Sequence, residues 1–177
     1  MHPILSMKFF AAFFIVMSVF TPLHAFACNA QTNDTSLRFD VENDNIVDID
    51  SGLTWMRCAI GQTWDGQTCK GEATLLTWHE ANDKLKQMSS ENNHNGDWRL
   101  PRVNELATIV DITCKNPRID LRIFPRTQAS YYWTNSRVPR GFGEAYVVSF
   151  GNDSVSSKAL SSRYAVRPVR GRSNTLN

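Results

Sequence analysis

Four cysteines, a handful of polar pairs and an arginine-rich second half supply the side chains whose types could do chemistry. Cys28, Cys58, Cys69 and Cys114 are an even set, and thiols serve as nucleophiles, metal ligands or halves of disulfides. A nucleophile needs a base and an oxyanion site at a recognisable spacing. No Gly-x-Ser-x-Gly elbow, His-Glu-x-x-His pair, phosphate-binding loop or spaced carboxylate pair occurs. A structural zinc site is built from closely spaced ligands, yet there is no Cys-x2-Cys, and only His79 and His94 follow the first cysteine. Neither enzyme, metal nor cofactor is expected. Oxidation is the remaining use. Three pairings are possible, and the favoured one joins Cys58 to Cys69 around a short Trp64-Asp65-Gly66 loop and Cys28 to Cys114 so that the N-terminal end is tied to the body. Each closure contributes about 2–4 kcal/mol by loop entropy.

The acids are read as structural. Asp44, Asp48 and Asp50 lack the glycine and terminal glutamate of a calcium loop and suit turns. His79 and Glu80 fall in Thr77-Trp78-His79-Glu80, a capping-box pattern that starts a helix. With no second histidine at a ligand offset, they belong to a solvated face.

The arginines are less easily assigned. Residues 28–97 hold 5 bases and 12 acids, whereas residues 98–177 hold 13 bases and 5 acids. Eleven of those 13 bases are Arg, whose planar fork suits carboxylate, sulfate or phosphate. Arg118, Arg122, Arg126, Arg137 and Arg140 lie in irregular segments, where exposed loops carry binding function, and they are the candidate ligand-binding set. The opposing reading, in which the acidic half neutralises the basic half at home, stays open. The formal net charge of +2 is too small for a nucleic-acid binder.

These side chains must be positioned by short elements. Three strands are expected between Leu37 and Met56, with turns at Asn43-Asp44 and Ser51-Gly52. A helix is expected over Trp78–Ser89, and a shorter one after Pro101 carrying Val103, Leu106, Ala107 and Val110. Strands follow at Tyr131–Thr134, Ala145–Phe150, Ser154–Leu160 and Tyr164–Arg167, with a turn across Gly151-Asn152-Asp153. Trp55, Trp98 and Trp133 are expected as buried anchors, and Arg99 as the partner of Glu105, fixing the loop that leads through Pro101 into the second helix.

The first 27 residues are set apart. Lys8 precedes an apolar run from Phe9 to Phe20, and Ala25-Phe26-Ala27 is a cleavage pattern, so a signal peptide is expected at 1–27, a domain at 28–170 and a disordered tail at 171–177. The run is 12 residues long, short of the roughly 20 that span a bilayer, so no stable span is expected. Bulky Phe26 is unlike the small residue that usually stands there in lipoproteins, which favours soluble export to the periplasm or the outside, where disulfides persist.

Ser51-Gly52-Leu53-Thr54-Trp55-Met56-Arg57-Cys58, Gly61 to Cys69, Asp97-Trp98-Arg99-Leu100-Pro101, Asn104-Glu105-Leu106, Phe124-Pro125, Tyr132-Trp133-Thr134 and Val166-Arg167-Pro168-Val169-Arg170 stand in an order that resembles the domain named for the C-terminal region of the Legionella collagen-like adhesin. The likeness runs over about residues 38–170. It implies a compact single α+β domain, C-type-lectin-like, with a twisted antiparallel sheet, two short helices and disulfides. It also implies adhesin-like binding of sulfated glycosaminoglycans, here through the Arg-rich loops, by an exported protein of the cell envelope. The competing expectation is a structural or protein-interaction domain that meets an envelope protein through the aromatic strand edge at Tyr131–Trp133.

Overall fold

The computed structural model describes residue 28 and residues 35–91, 97–151 and 155–172. The expected leader, the turn residues Asn152 and Asp153, His94 and the last five residues of the expected tail lie outside the described residues. In chain order the elements are α1 (Thr35–Arg38), β1 (Phe39–Glu42), β2 (Asn45–Asp48), β3 (Leu53–Met56), β4 (Thr63–Trp64), β5 (Cys69–Lys70) and α2 (Trp78–Glu91). Then come α3 (Val103–Ala107), β6 (Tyr131–Arg137), β7 (Glu144–Ser149), β8 (Val155–Ala159) and β9 (Val169–Arg170).

The expected meander is present with a later start. Leu37 and Arg38 belong to the single turn of α1 instead of to the first strand. There the Arg38 fork grips Asp48 at 3.0 and 2.7 Å, while its third nitrogen reaches the Thr108 carbonyl at 2.9 Å. β1, β2 and β3 pair antiparallel. The reversals use left-handed backbone at Asn43 (φ 52°) and Gly52 (φ 71°), which Asn and Gly adopt at least cost. β9 joins the far side of β3, so the four-stranded sheet runs β1-β2-β3-β9.

A second sheet, β6-β7-β8, is antiparallel throughout. Its alternation divides the core. Tyr132 and Val148 face a cluster with Phe39, Trp55, Leu106, Phe124 and Phe150. Trp133 and Val147 face another with Ala81, Leu85, Trp98 and Leu100. α2 therefore buries Ala81 and Leu85 and runs to Glu91, one half-turn past its expected end.

Three further expectations are corrected. Val110 is outside α3: the Thr108 hydroxyl donates to the Glu105 carbonyl at 2.7 Å, and tighter three-residue turns follow. Tyr164–Arg167 forms no strand of its own, because successive residues find different partners. Tyr164 bridges Leu76, Ala165 bridges Tyr132, and the Val166 and Pro168 carbonyls accept from Ile60 and Met56. The small hairpin β4–β5 was not anticipated; it forms inside the Cys58–Cys69 closure, where Trp64 pairs with Cys69. The domain is thus α+β with mostly antiparallel sheets, divided among several small sheets instead of one. Among the described residues no helix is long and apolar enough to cross a membrane.

Candidate functional site

Two disulfides, Cys58–Cys69 and Cys28–Cys114, account for all four cysteines, in the favoured pairing. The loop Trp98–Pro101 positions the start of α3. Trp98 is buried, and the Arg170 guanidinium lies 4.9 Å above its ring. Arg99 donates to both carboxylate oxygens of Glu105, at 2.7 and 2.9 Å, and the same carboxylate accepts the Arg102 N–H at 2.7 Å. Burial pushes the Glu105 carboxyl up, but the Arg99 and Arg102 hydrogen bonds outweigh it and hold it below its ordinary range. Asp48 behaves alike: burial is opposed and overcome by Arg38 and Ser51. Trp55 and Trp133 are fully buried, and the Trp133 indole N–H is held by the Leu76 carbonyl at 2.7 Å.

The five candidate arginines do not converge. Arg122 pairs with buried Asp120 at 2.7 Å, and Arg126 with Glu72 at 3.3 Å. Arg118 is tied by its backbone to Phe150. All three precede β6. Arg137 and Arg140 stand at its other end, and a seven-residue strand spans about 20 Å.

At that other end the structure supplies a further member. Pro101 accepts the Asn135 N–H at 2.7 Å, and the Val103 N–H donates to the Ser136 hydroxyl at 3.0 Å. Arg102 therefore lies beside Arg137. Arg137 is stacked over Trp78, 5.3 Å from its ring, with its Nε donating to the Glu144 carbonyl at 3.2 Å. The Trp78 indole is itself pinned to the Thr134 carbonyl at 3.0 Å. Arg140 follows in the β6–β7 connection with φ 58°. Arg102, Arg137 and Arg140 are exposed, and none makes an ion pair among the described residues. Glu105 is bound by Arg99 and also attracts the Arg102 charge, and Glu144 stands at the start of β7.

Across this whole frame, from Asp44 in the first turn to Arg170 in the last strand, the family model of the Lcl C-terminal domain matches residues 44–170. The chain belongs to the Lcl C-terminal domain family. No curated protein matches it. The matched span of this Lcl C-terminal domain includes every block on which the sequence resemblance rests.

Two features of the Lcl C-terminal domain went unread in the sequence. Arg167 is fully buried in the closing Val-Arg-Pro-Val-Arg block. It donates to the Met56 carbonyl at 3.0 Å, to the Arg57 carbonyl and to the Thr127 hydroxyl at 2.6 Å, with Phe124 and Tyr132 stacked at 5.0 and 6.0 Å. Burial lowers its hold on its proton, and the neighbouring Tyr132 phenol opposes that effect. The second is Arg57, which stacks 3.9 Å over Trp64 and donates to the Asn43 and Arg122 carbonyls, joining the disulfide loop to the first turn. Both clamp loops together. No local sequence signal marks either role.

Proposed function

We propose that this domain is an exported, non-catalytic binding module that holds a sulfated or otherwise acidic polysaccharide on Arg102, Arg137 and Arg140. The observation that carries the reading is that these three exposed arginines stand on segments that meet at one end of the β6-β7-β8 sheet and make no ion pair among the described residues. Arg122 and Arg126 each already face a carboxylate, Asp120 and Glu72, and are left out of this reading. Stacking on Trp78 costs Arg137 little of its hydrogen-bonding capacity, since a guanidinium donates in its plane. Export is supported by the two disulfides. Kinship of fold with C-type-lectin-like domains is supported by small antiparallel sheets, short helices and long loops held by disulfides.

The test is retention on heparin resin across a salt gradient. Arg137→Glu/Arg140→Glu is expected to elute at clearly lower salt than wild type, whereas Arg122→Glu/Arg126→Glu elutes close to it. Equal elution of the first double variant and wild type would sink the reading. The protein-interaction alternative has less support: of its expected edge Tyr131 is half-buried, Tyr132 and Trp133 are buried, and the Trp133 N–H donates to the Ala165 carbonyl.

A further inference from the structure

The β6–β7 connection ends in an apolar point. Phe142 is 101% exposed, and Pro139 and Arg140 beside it are exposed as well. A lone surface apolar residue on a flat face needs no explanation. Phe142 is different in being held out by a shaped tip. The Gly141 N–H closes a turn onto the Val138 carbonyl at 3.0 Å. A side chain at Gly141 would meet Val138 at 2.7 Å, and Gly143 takes φ 77°. At its base, the Val138 N–H donates to the Glu144 carbonyl at 3.3 Å. The backbone thus fixes Phe142 at the summit, while Arg140 in the tip and Arg137 and Arg102 on the segments at its base supply a cationic collar, none of the three making an ion pair among the described residues.

An exposed aromatic point above exposed guanidinium groups matches the cross-section of a bilayer surface. Aromatic rings settle at the boundary between headgroups and acyl chains, and arginines remain level with the phosphates. A hydrated polysaccharide offers the collar its charges but gives Phe142 nothing to enter. We propose that the β6–β7 tip is an interfacial anchor that docks the domain on a membrane rich in anionic lipid, with Phe142 inserted and Arg137, Arg140 and Arg102 on the headgroup phosphates. The inference shares its arginines with the glycan reading and adds a residue that reading does not use. Docking through one aromatic and three cations is weak and reversible, so it would matter most for a domain already held near a membrane.

Protein recovered in its natively processed form from cells expressing the full chain is sedimented with large vesicles of phosphatidylglycerol and phosphatidylcholine, or of phosphatidylcholine alone. Wild type is expected to sediment with the anionic vesicles only. Phe142→Ser, which removes no internal contact, is expected to weaken binding about tenfold, and Phe142→Leu to retain most of it. Heparin retention, measured in parallel, is expected to be unchanged in both. Vesicle binding that is absent in wild type, or equal in wild type and Phe142→Ser, overturns the anchor whatever heparin does. Vesicle binding that depends on Phe142 in a protein that heparin resin does not retain sustains the anchor and removes the glycan reading.

Discussion

Removing the Glu105 carboxylate should cost more stability than any comparable surface change. Glu105 is 1% exposed and accepts three hydrogen bonds, two from Arg99 and one from the Arg102 N–H. Charge-assisted bonds contribute about 1.5–3 kcal/mol each, and orphaning one partner of a buried pair costs about 3–5 kcal/mol. The lower part of that range applies, because the Arg99 side chain is 31% exposed and can turn to water. Glu105→Leu is therefore expected to lose about 3 kcal/mol. Glu105→Gln keeps the shape and one acceptor, and should lose about half as much. At a urea slope of about 2 kcal/mol per molar, the Leu variant should unfold about 1.5 M earlier with disulfides intact. Adding Arg99→Met to Glu105→Leu should recover part of the loss, since no lone charge is then left. The pH dependence gives an independent check. The folded Glu105 carboxyl titrates below its ordinary 4.5, so its contribution is complete above that value and drains away as pH falls through the folded value. The gap between wild type and Glu105→Gln should accordingly close in acid. A Leu variant within 0.5 kcal/mol of wild type, or a gap that widens in acid, would refute the reasoning.

Three other outcomes are expected. Arg167→Met leaves the Met56 and Arg57 carbonyls and the Thr127 hydroxyl without their donor, and should lower stability by about 2 kcal/mol, or about 6 °C in a thermal melt; a higher melting temperature would contradict this. Cys28 and Cys114 are 86 residues apart and Cys58 and Cys69 are 11 apart, so paired serine replacements should cost about 4–5 and about 3 kcal/mol respectively in urea titration. A larger loss at the short loop would show that unfolded-chain entropy is not the governing effect. Asp48 also titrates below its ordinary 3.8, so wild-type stability should fall as pH drops beneath about 4, and Asp48→Asn should be less stable at neutral pH and flatter in acid; parallel curves for the two proteins would count against it.

What the sequence disclosed depended on whether a signal was local. The β1–β3 meander was legible because alternation and turn residues are nearest-neighbour patterns, and α2 because Thr77 and Glu80 announce its first turn. The favoured disulfide pairing was legible because a short turn-bearing loop separates Cys58 from Cys69, leaving Cys28 for Cys114. Arg99 with Glu105 was legible because six residues separate them across a proline. The later arginines were not, since their grouping depends on which loop meets which strand end. Arg102 joins Arg137 through the Asn135–Pro101 and Val103–Ser136 hydrogen bonds between distant segments. Arg122 leaves the candidate set through Asp120, two residues away, a local pairing that the charge count of half-chains concealed. The last strand was misplaced because Tyr164–Arg167 is a short run of strand-favouring residues that hands its hydrogen bonds to separate partners. Burial of Arg167 has no local signature at all.

β9 completes the first sheet by lying against β3, although most of the chain separates Thr54 and Trp55 from their partners Arg170 and Val169. A polypeptide delivered N-terminus first, by a ribosome or through a secretion channel, must keep that flank of β3 unzipped until its final segment emerges. Any product truncated shortly before residue 169 would leave the strand that carries Trp55 bare along one side, a template for aberrant association and a handle for quality-control proteases.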